Sequence, residues 1–153
     1  MMISTKGRYA LRVMIELAAR GDETYVSLKE IAEYQQISEK YLEAIVKKLV
    51  SSGLVVGLRG KKGGYRLAIA PAQCTVAQVL RAAEGPLVPV SCLVEDGVVC
   101  PRNGRCETLP LWRELGRTID NFLESVTLLQ LIPQGGADAV CQDRCPNECH
   151  LNV

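Results

Sequence analysis

The stretch from Gln36 to Ile69, QISEKYLEAIVKKLVSSGLVVGLRGKKGGYRLAI, leaves the chain few ways to fold. Leu42, Ile45, Val46 and Leu49 recur at the spacing of one buried helical stripe, behind Ser38 as N-cap and ahead of Gly53, where a helix stops. The other face shows Glu39, Lys40, Glu43, Ala44, Lys47 and Lys48, short or charged groups with little to bury. Two β-rich runs follow, Leu54 to Leu58 and Tyr65 to Ile69, joined by Arg59-Gly60-Lys61-Lys62-Gly63-Gly64. That connection is cationic and bare of side chains at three positions, so it can lie against phosphates. Any one of these cations is as readily a solvated surface group. The set, on a helix and the hairpin straight after it, predicts a winged helix-turn-helix that enters a DNA major groove.

The flanking segments fit that order. Residues 4–20 read as a helix with Tyr9, Ala10, Val13, Met14, Leu17 and Ala18 inward. Tyr25-Val26 is a short extended piece, a candidate third strand. Ser27-Leu28-Lys29-Glu30 has the capping-box pattern and opens a brief second helix, with Gln35-Gln36-Ile37 as the turn into the helix beginning near Ser38. Thr75 to Ala83 predicts a fourth helix that ends at Gly85, and Cys74 beside it reads as core filling. From Pro86 to Cys106 periodicity vanishes, and a loop of that length inside a compact chain usually has a job. Pro110 then suits the first turn of a helix running to Pro133. Along it Trp112, Leu115, Ile119, Phe122, Val126 and Leu129 form a heptad seam, which predicts a dimer helix. The expected fold is mainly α with a small β wing. It divides into a winged helix-turn-helix head (1–84), a cysteine-bearing loop (85–109), a dimerisation helix (110–132) and a tail (133–153).

Charge is distributed unevenly. Residues 1–72 carry twelve Lys or Arg against seven Asp or Glu, and residues 73–153 carry six against ten. A cationic front joined to an acidic rear fits a nucleic-acid-binding head with a different partner domain. No apolar run reaches the roughly 18 residues of a spanning helix, and the charged start is unlike a signal peptide, so a cytoplasmic protein is expected. A single His and no Gly-rich phosphate loop ahead of a helix argue against an enzyme.

Six of the seven cysteines fall in the last 62 residues, as Cys92, Cys100, Cys106 and Cys141, Cys145, Cys149. In a reducing compartment, clustered thiols point to metal or redox chemistry before structural disulfides. Cys92, Cys100 and Cys106 place three soft donors on one irregular loop, which suits an iron–sulfur cluster. Zinc competes, but its usual close cysteine pairs are missing from this loop.

Several runs, in order, resemble the bacterial Rrf family of winged-helix regulators, whose branches include IscR, NsrR and CymR. They are Ser4-Thr5-Lys6-Gly7-Arg8-Tyr9-Ala10-Leu11, Ile37-Ser38-Glu39-Lys40-Tyr41-Leu42-Glu43, Leu58-Arg59-Gly60-Lys61-Lys62-Gly63-Gly64-Tyr65 and Leu111-Trp112-Arg113. The likeness spans Ile3 to about Ile132. It implies a homodimeric transcription regulator on a palindromic operator. By the same likeness Ser38, Lys40, Tyr41, Glu43 and the wing residues Arg59, Gly60, Lys61, Lys62 and Gly63 contact DNA, and Ala44 and Lys47 share that helix face. Cys92, Cys100 and Cys106 match the family's cluster cysteines. A fourth ligand does not carry over, because the IscR-type position is Leu109 and the NsrR-type position is Arg8. Glu107, Asp96, Cys141, Cys145, Cys149 and His150 are the remaining candidates. The expected function is a regulator whose operator affinity depends on an iron–sulfur cluster (2Fe-2S or 4Fe-4S). The alternative is a cluster-free, CymR-like regulator of cysteine or sulfur metabolism acting through thiols or a partner enzyme. A small electron-transfer protein is the remote third, since it would leave the head without a purpose.

Overall fold

The computed structural model describes residues 3–21, 24–60, 63–94, 100, 102 and 105–132. Lys61, Lys62, Asp96, Cys141, Cys145, Cys149 and His150 lie outside the described residues. In chain order the elements are α1 (Thr5–Ala19), α2 (Leu28–Gln35), α3 (Glu39–Ser51), β1 (Val55–Leu58), β2 (Gly64–Leu67), α4 (Val76–Glu84), a single 3-10 turn (Ser91–Leu93), α5 (Leu109–Ser125) and α6 (Leu128–Leu131). The chain is mainly helical with a two-stranded wing, as its sequence predicts.

Local chemistry sets the helix starts. Ser4 Oγ accepts from the Lys6 N–H at 3.1 Å and opens α1. Ser27 and Glu30 close the capping box of α2: Ser27 Oγ accepts from the Glu30 N–H at 3.2 Å while Glu30 Oε2 accepts from the Ser27 N–H at 2.9 Å. Gln36 turns the chain in the left-handed region at φ 54°, which drops Ile37 into the core before Ser38 caps α3. The inner stripes of α1, α2 and α3 then meet in one cluster with Leu54, Val55 and Leu67 of the wing. Tyr9, expected inside, is only half-buried at the rim of this core.

β1 and β2 pair antiparallel, Val55 opposite Leu67 and Leu58 opposite Gly64. Val26 joins them through one bridge: its N–H donates to the Tyr65 carbonyl at 2.9 Å and its carbonyl accepts from the Tyr65 N–H at 2.8 Å. The candidate third strand is therefore a single-residue bridge. Gly64 permits the approach, because a Cβ there would lie 2.4 Å from the Val26 carbonyl oxygen.

The helix expected to run from Pro110 to Pro133 stops at Ser125. Val126 is extended, and its carbonyl accepts from the Val76 N–H at 2.9 Å, so it serves the start of α4 instead of continuing α5. Thr127 and Gln130 then form a new capping box that opens α6. The competing demand is burial. Leu128 is fully enclosed in the core of the head, and a continuous helix would carry it past that site. The seam splits accordingly. Ile119 and Val126 pack on a second core of Val76, Ala77, Leu80, Leu87 and Leu123, whereas Leu115, Phe122 and Leu129 stay exposed.

Leu128→Ala is expected to lower the unfolding free energy by about 2–5 kcal/mol, the usual cost of emptying an enclosed leucine site. Urea denaturation measures this, and a loss below about 1 kcal/mol would show that α6 is not an anchor.

Candidate nucleic-acid interface

The turn from α2 to α3 presents the second helix outward. Lys40, Tyr41, Glu43, Ala44 and Lys47 are all exposed on α3, opposite its buried stripe. Ser38 Oγ accepts from the Tyr41 N–H at 3.4 Å, which leaves its own hydroxyl hydrogen free to donate outward. Leu54 N–H donates to the Leu49 carbonyl at 3.0 Å, so the wing leaves α3 without slack. Arg59 and Gly60 are exposed at the wing tip, where Gly60 has φ 119° and its carbonyl accepts from the Gly63 N–H at 2.9 Å. The described members of the expected set thus share one helix face and the hairpin that follows it.

Lys48 departs from that face. Its Nζ donates to the Ala83 carbonyl at 2.8 Å, one of the acceptors left open at the end of α4. This ammonium ties α3 to α4 and is not presented with Lys40 and Lys47.

Sequence reasoning missed the brace behind α3. Arg12 on α1 donates from Nε to Gln35 Oε1 at 2.7 Å and from Nη2 to the Gln35 carbonyl at 2.9 Å, gripping the end of α2. The same guanidinium lies 5.3 Å from the Tyr9 ring centroid, and Tyr9 meets Tyr41 of α3 edge-on at 6.0 Å. The one available signal was the three-residue spacing of Tyr9 and Arg12 on one helix flank. Nothing local tied Arg12 to Gln35.

Cys92 sits exposed on the 3-10 turn, Cys100 and Cys106 are half-buried, and all are free thiols. Cys106 Sγ lies 3.5 Å from Thr108 Oγ1. That hydroxyl, with the backbone amides of Thr108 and Leu109 and the charge of Arg102, holds the thiol below its ordinary range. Buried Cys74 is the opposite case, its thiol pushed up to about 11 by desolvation.

A four-ligand iron site is not completed by these residues. Leu109, at the position after Cys106 where a donor would serve, is a buried apolar side chain at the start of α5. Arg8, at the other candidate position, is a cation that donates to Thr5 Oγ1 at 3.2 Å. Glu107 is exposed, and among the described residues no three His, Cys, Asp or Glu side chains gather as a metal site. Among the described residues the donor set therefore does not complete the cluster that the sequence led us to expect.

A capped recognition helix, a tight turn before it and a hairpin after it define a winged-helix DNA-binding protein. Residues 3–134 match the family model Rrf2, described as an iron-dependent transcriptional regulator. The regulator IscR of Aliivibrio salmonicida is 38% identical over 152 residues, covering 99% of this chain and 89% of the relative. Among solved structures, CymR, described as the global cysteine regulator of B. subtilis, is 40% identical with a TM-score of 0.68, over 86% of this chain and 95% of that one. The oxidized form of Staphylococcus aureus CymR is 34% identical with a TM-score of 0.65, over the same two shares. The chain belongs to the Rrf2 family of winged-helix transcription regulators. It is a DNA-binding, homodimeric regulator and not an enzyme. Among the described residues, no helix is long and apolar enough to cross a membrane.

The two extreme thiols are expected to separate in a labelling experiment. At neutral pH the lowered Cys106 holds more thiolate than an ordinary cysteine, and Cys74 holds almost none behind the core. Iodoacetamide followed by peptide mapping should therefore modify Cys106 well ahead of Cys74, which stays unlabelled until the protein unfolds. Early labelling of Cys74 would contradict its burial.

Proposed function

We propose that this regulator holds a palindromic operator through α3 and the wing of each protomer, and that the thiol state of the Cys92–Cys106 segment sets the grip without a resident cluster. The observation that carries this reading is the donor set: apolar Leu109 and cationic Arg8 stand at the two places where an iron ligand would be needed. Similarity to CymR supports it further. Cys92, Cys100 and Cys106 are free thiols, the first exposed and the other two half-buried. Pairing any two would transfer two electrons to an oxidant and release two protons, and would draw their segments to disulfide distance. That segment joins α4 to α5, so its contraction would be felt where the two protomers meet. Half-site spacing is a geometric demand, and a small change in head separation then becomes a large change in affinity.

A second reading keeps the cluster. Three cysteines stand at the family's cluster positions, and the matched family model is described as iron-dependent. Under it Cys92, Cys100 and Cys106 would hold the iron, with a fourth donor from Glu107 or the tail. Anaerobic purification with iron and sulfide quantitation separates the two. A colourless product whose operator affinity changes between reduced and oxidised thiols supports the first. A brown product with stoichiometric iron and sulfide establishes the second.

For dimerisation we propose the exposed apolar flank of α5 and α6. Leu115, Phe122 and Leu129 remain from the predicted seam, and Leu111, 60% exposed, joins them. Trp112 is half-buried and donates from Nε1 to Thr108 Oγ1 at 3.2 Å, which places it at the edge of this flank.

On DNA, Lys40, Lys47 and the wing cations supply salt-dependent affinity, and Glu43 accepts from cytosine N4. Glu43→Ala is expected to broaden sequence preference, narrowing the gap between matched and mismatched operators by about 1–3 kcal/mol. Arg59→Ala is expected to weaken binding to every duplex alike and to shallow the salt dependence by about one charge. Fluorescence anisotropy on both operators at several salt concentrations tests both, and the reverse pattern would refute the assignment.

A further inference from the structure

A cleft of about 730 Å3 lies between the end of α4, the segment from Gly85 to Val94 and one flank of α5. Leu87, Val88 and Leu93 line it, together with Arg81 and the exposed arginines Arg113 and Arg117. Arg81 is committed, with Asp120 and Glu124 each taking one end of its fork. Arg117 makes only a surface pair with Glu114 at 3.4 Å, and Arg113 makes no ion pair among the described residues. Two arginines one helical turn apart thus border apolar lining, and among the described residues Asp120, itself bound to Arg81, is the one carboxylate residue lining the cleft. Planar forks of this kind match carboxylate or phosphate oxygens.

Dimerisation through the flank proposed above would leave this cleft open. At 3.6 residues per turn, Arg113, Arg117 and Asp120 lie roughly 180° around α5 from Leu111, Leu115 and Phe122. The exposed apolar flank and the cleft are therefore on opposite sides of the helix.

We propose that the cleft binds a small amphipathic organic anion, its acidic head on Arg113 and Arg117 and its apolar body on Leu87, Val88 and Leu93. The volume falls in the range of small-molecule sites, and the lining has the required mix of apolar surface and few polar anchors. The ligand would brace the segment that carries Cys92, next to Leu93, against both α4 and α5. Its influence on operator affinity rests on the regulator reading above; its binding does not.

Calorimetric titration of the full chain with hexanoate, and with hexanamide as the uncharged match, tests the site without DNA. Hexanoate is expected to bind saturably and at least about tenfold more tightly than hexanamide. Arg113→Gln/Arg117→Gln is expected to erase that preference while leaving the melting temperature and ligand-free operator binding unchanged. Equal binding of the acid and the amide, no saturable binding of hexanoate, or an unaffected double variant would each overturn the proposal. Repeating operator titrations with saturating hexanoate isolates the other question. Bound hexanoate with indifferent operator affinity would sink the regulatory coupling and leave the anion site standing.

Discussion

Two consecutive residues at the end of α4 hold the head together through groups that helices leave unpaired. The Glu84 carboxylate accepts from the N–H groups of Ser4 and Gly7, at 2.8 and 3.1 Å, at the opening of α1. The neighbouring Ala83 carbonyl accepts from Lys48 on the recognition helix. An anion at one helix start and a cation at another helix end are both favourable to the fixed dipoles they meet. Gly7 is the price of the first contact, since a Cβ there would lie 2.3 Å from Glu84 Oε1. The nine-residue helix α4 is consequently the joint on which α1 and α3 are both fastened.

The same helix is also fastened to the rear of the protein. Thr75 Oγ1 donates to Glu124 at 2.8 Å, Val76 N–H to the Val126 carbonyl, and Arg81 to both Asp120 and Glu124. Arg81 first, and the Thr75 hydroxyl second, hold the Glu124 carboxyl below its usual range. A depressed folded pKa contributes stability above the unfolded value, and that contribution fades as pH falls through the folded one. The groups are partly solvated, so the junction gains registry from this network more than free energy. Arg81 and α4 thus form one polar path from α5 to Lys48 on α3.

The sequence was most informative where local chemistry decides. Ser27 with Glu30, Ser38, and the glycines of the wing announced their elements, and the α3 stripe appeared in place because its period is satisfied within thirteen residues. Non-local decisions were hidden. Trp112 through Leu129 reads as one seam, yet the need to bury Leu128 and to satisfy the Val76 N–H breaks the helix after Ser125. Lys48 reads as one more cation on an outer face, and only the position of α4 shows that its charge is used inside the protein. Arg12 and Gln35 are 23 positions apart, beyond any periodicity argument. For the thiols the sequence supplied donor types and spacing, whereas whether they can enclose a metal depends on loop geometry that spacing does not encode.

Breaking the seam also assigns separate tasks to the flanks of α5. A helix committed on every side to its own domain could not dimerise, and one committed only to a partner would transmit nothing to the head. Here Leu123 and Ile119 bind it to the second core, Leu111, Leu115 and Phe122 remain outward, and Arg113 and Arg117 border an open cleft. The cysteine segment enters α5 at Thr108, whose side chain contacts both Cys106 Sγ and Trp112 Nε1. Under the thiol reading proposed above, a change at that sulfur would reach the start of α5 and, through Arg81 and α4, the helix α3. Short, polar, directional contacts make up that path.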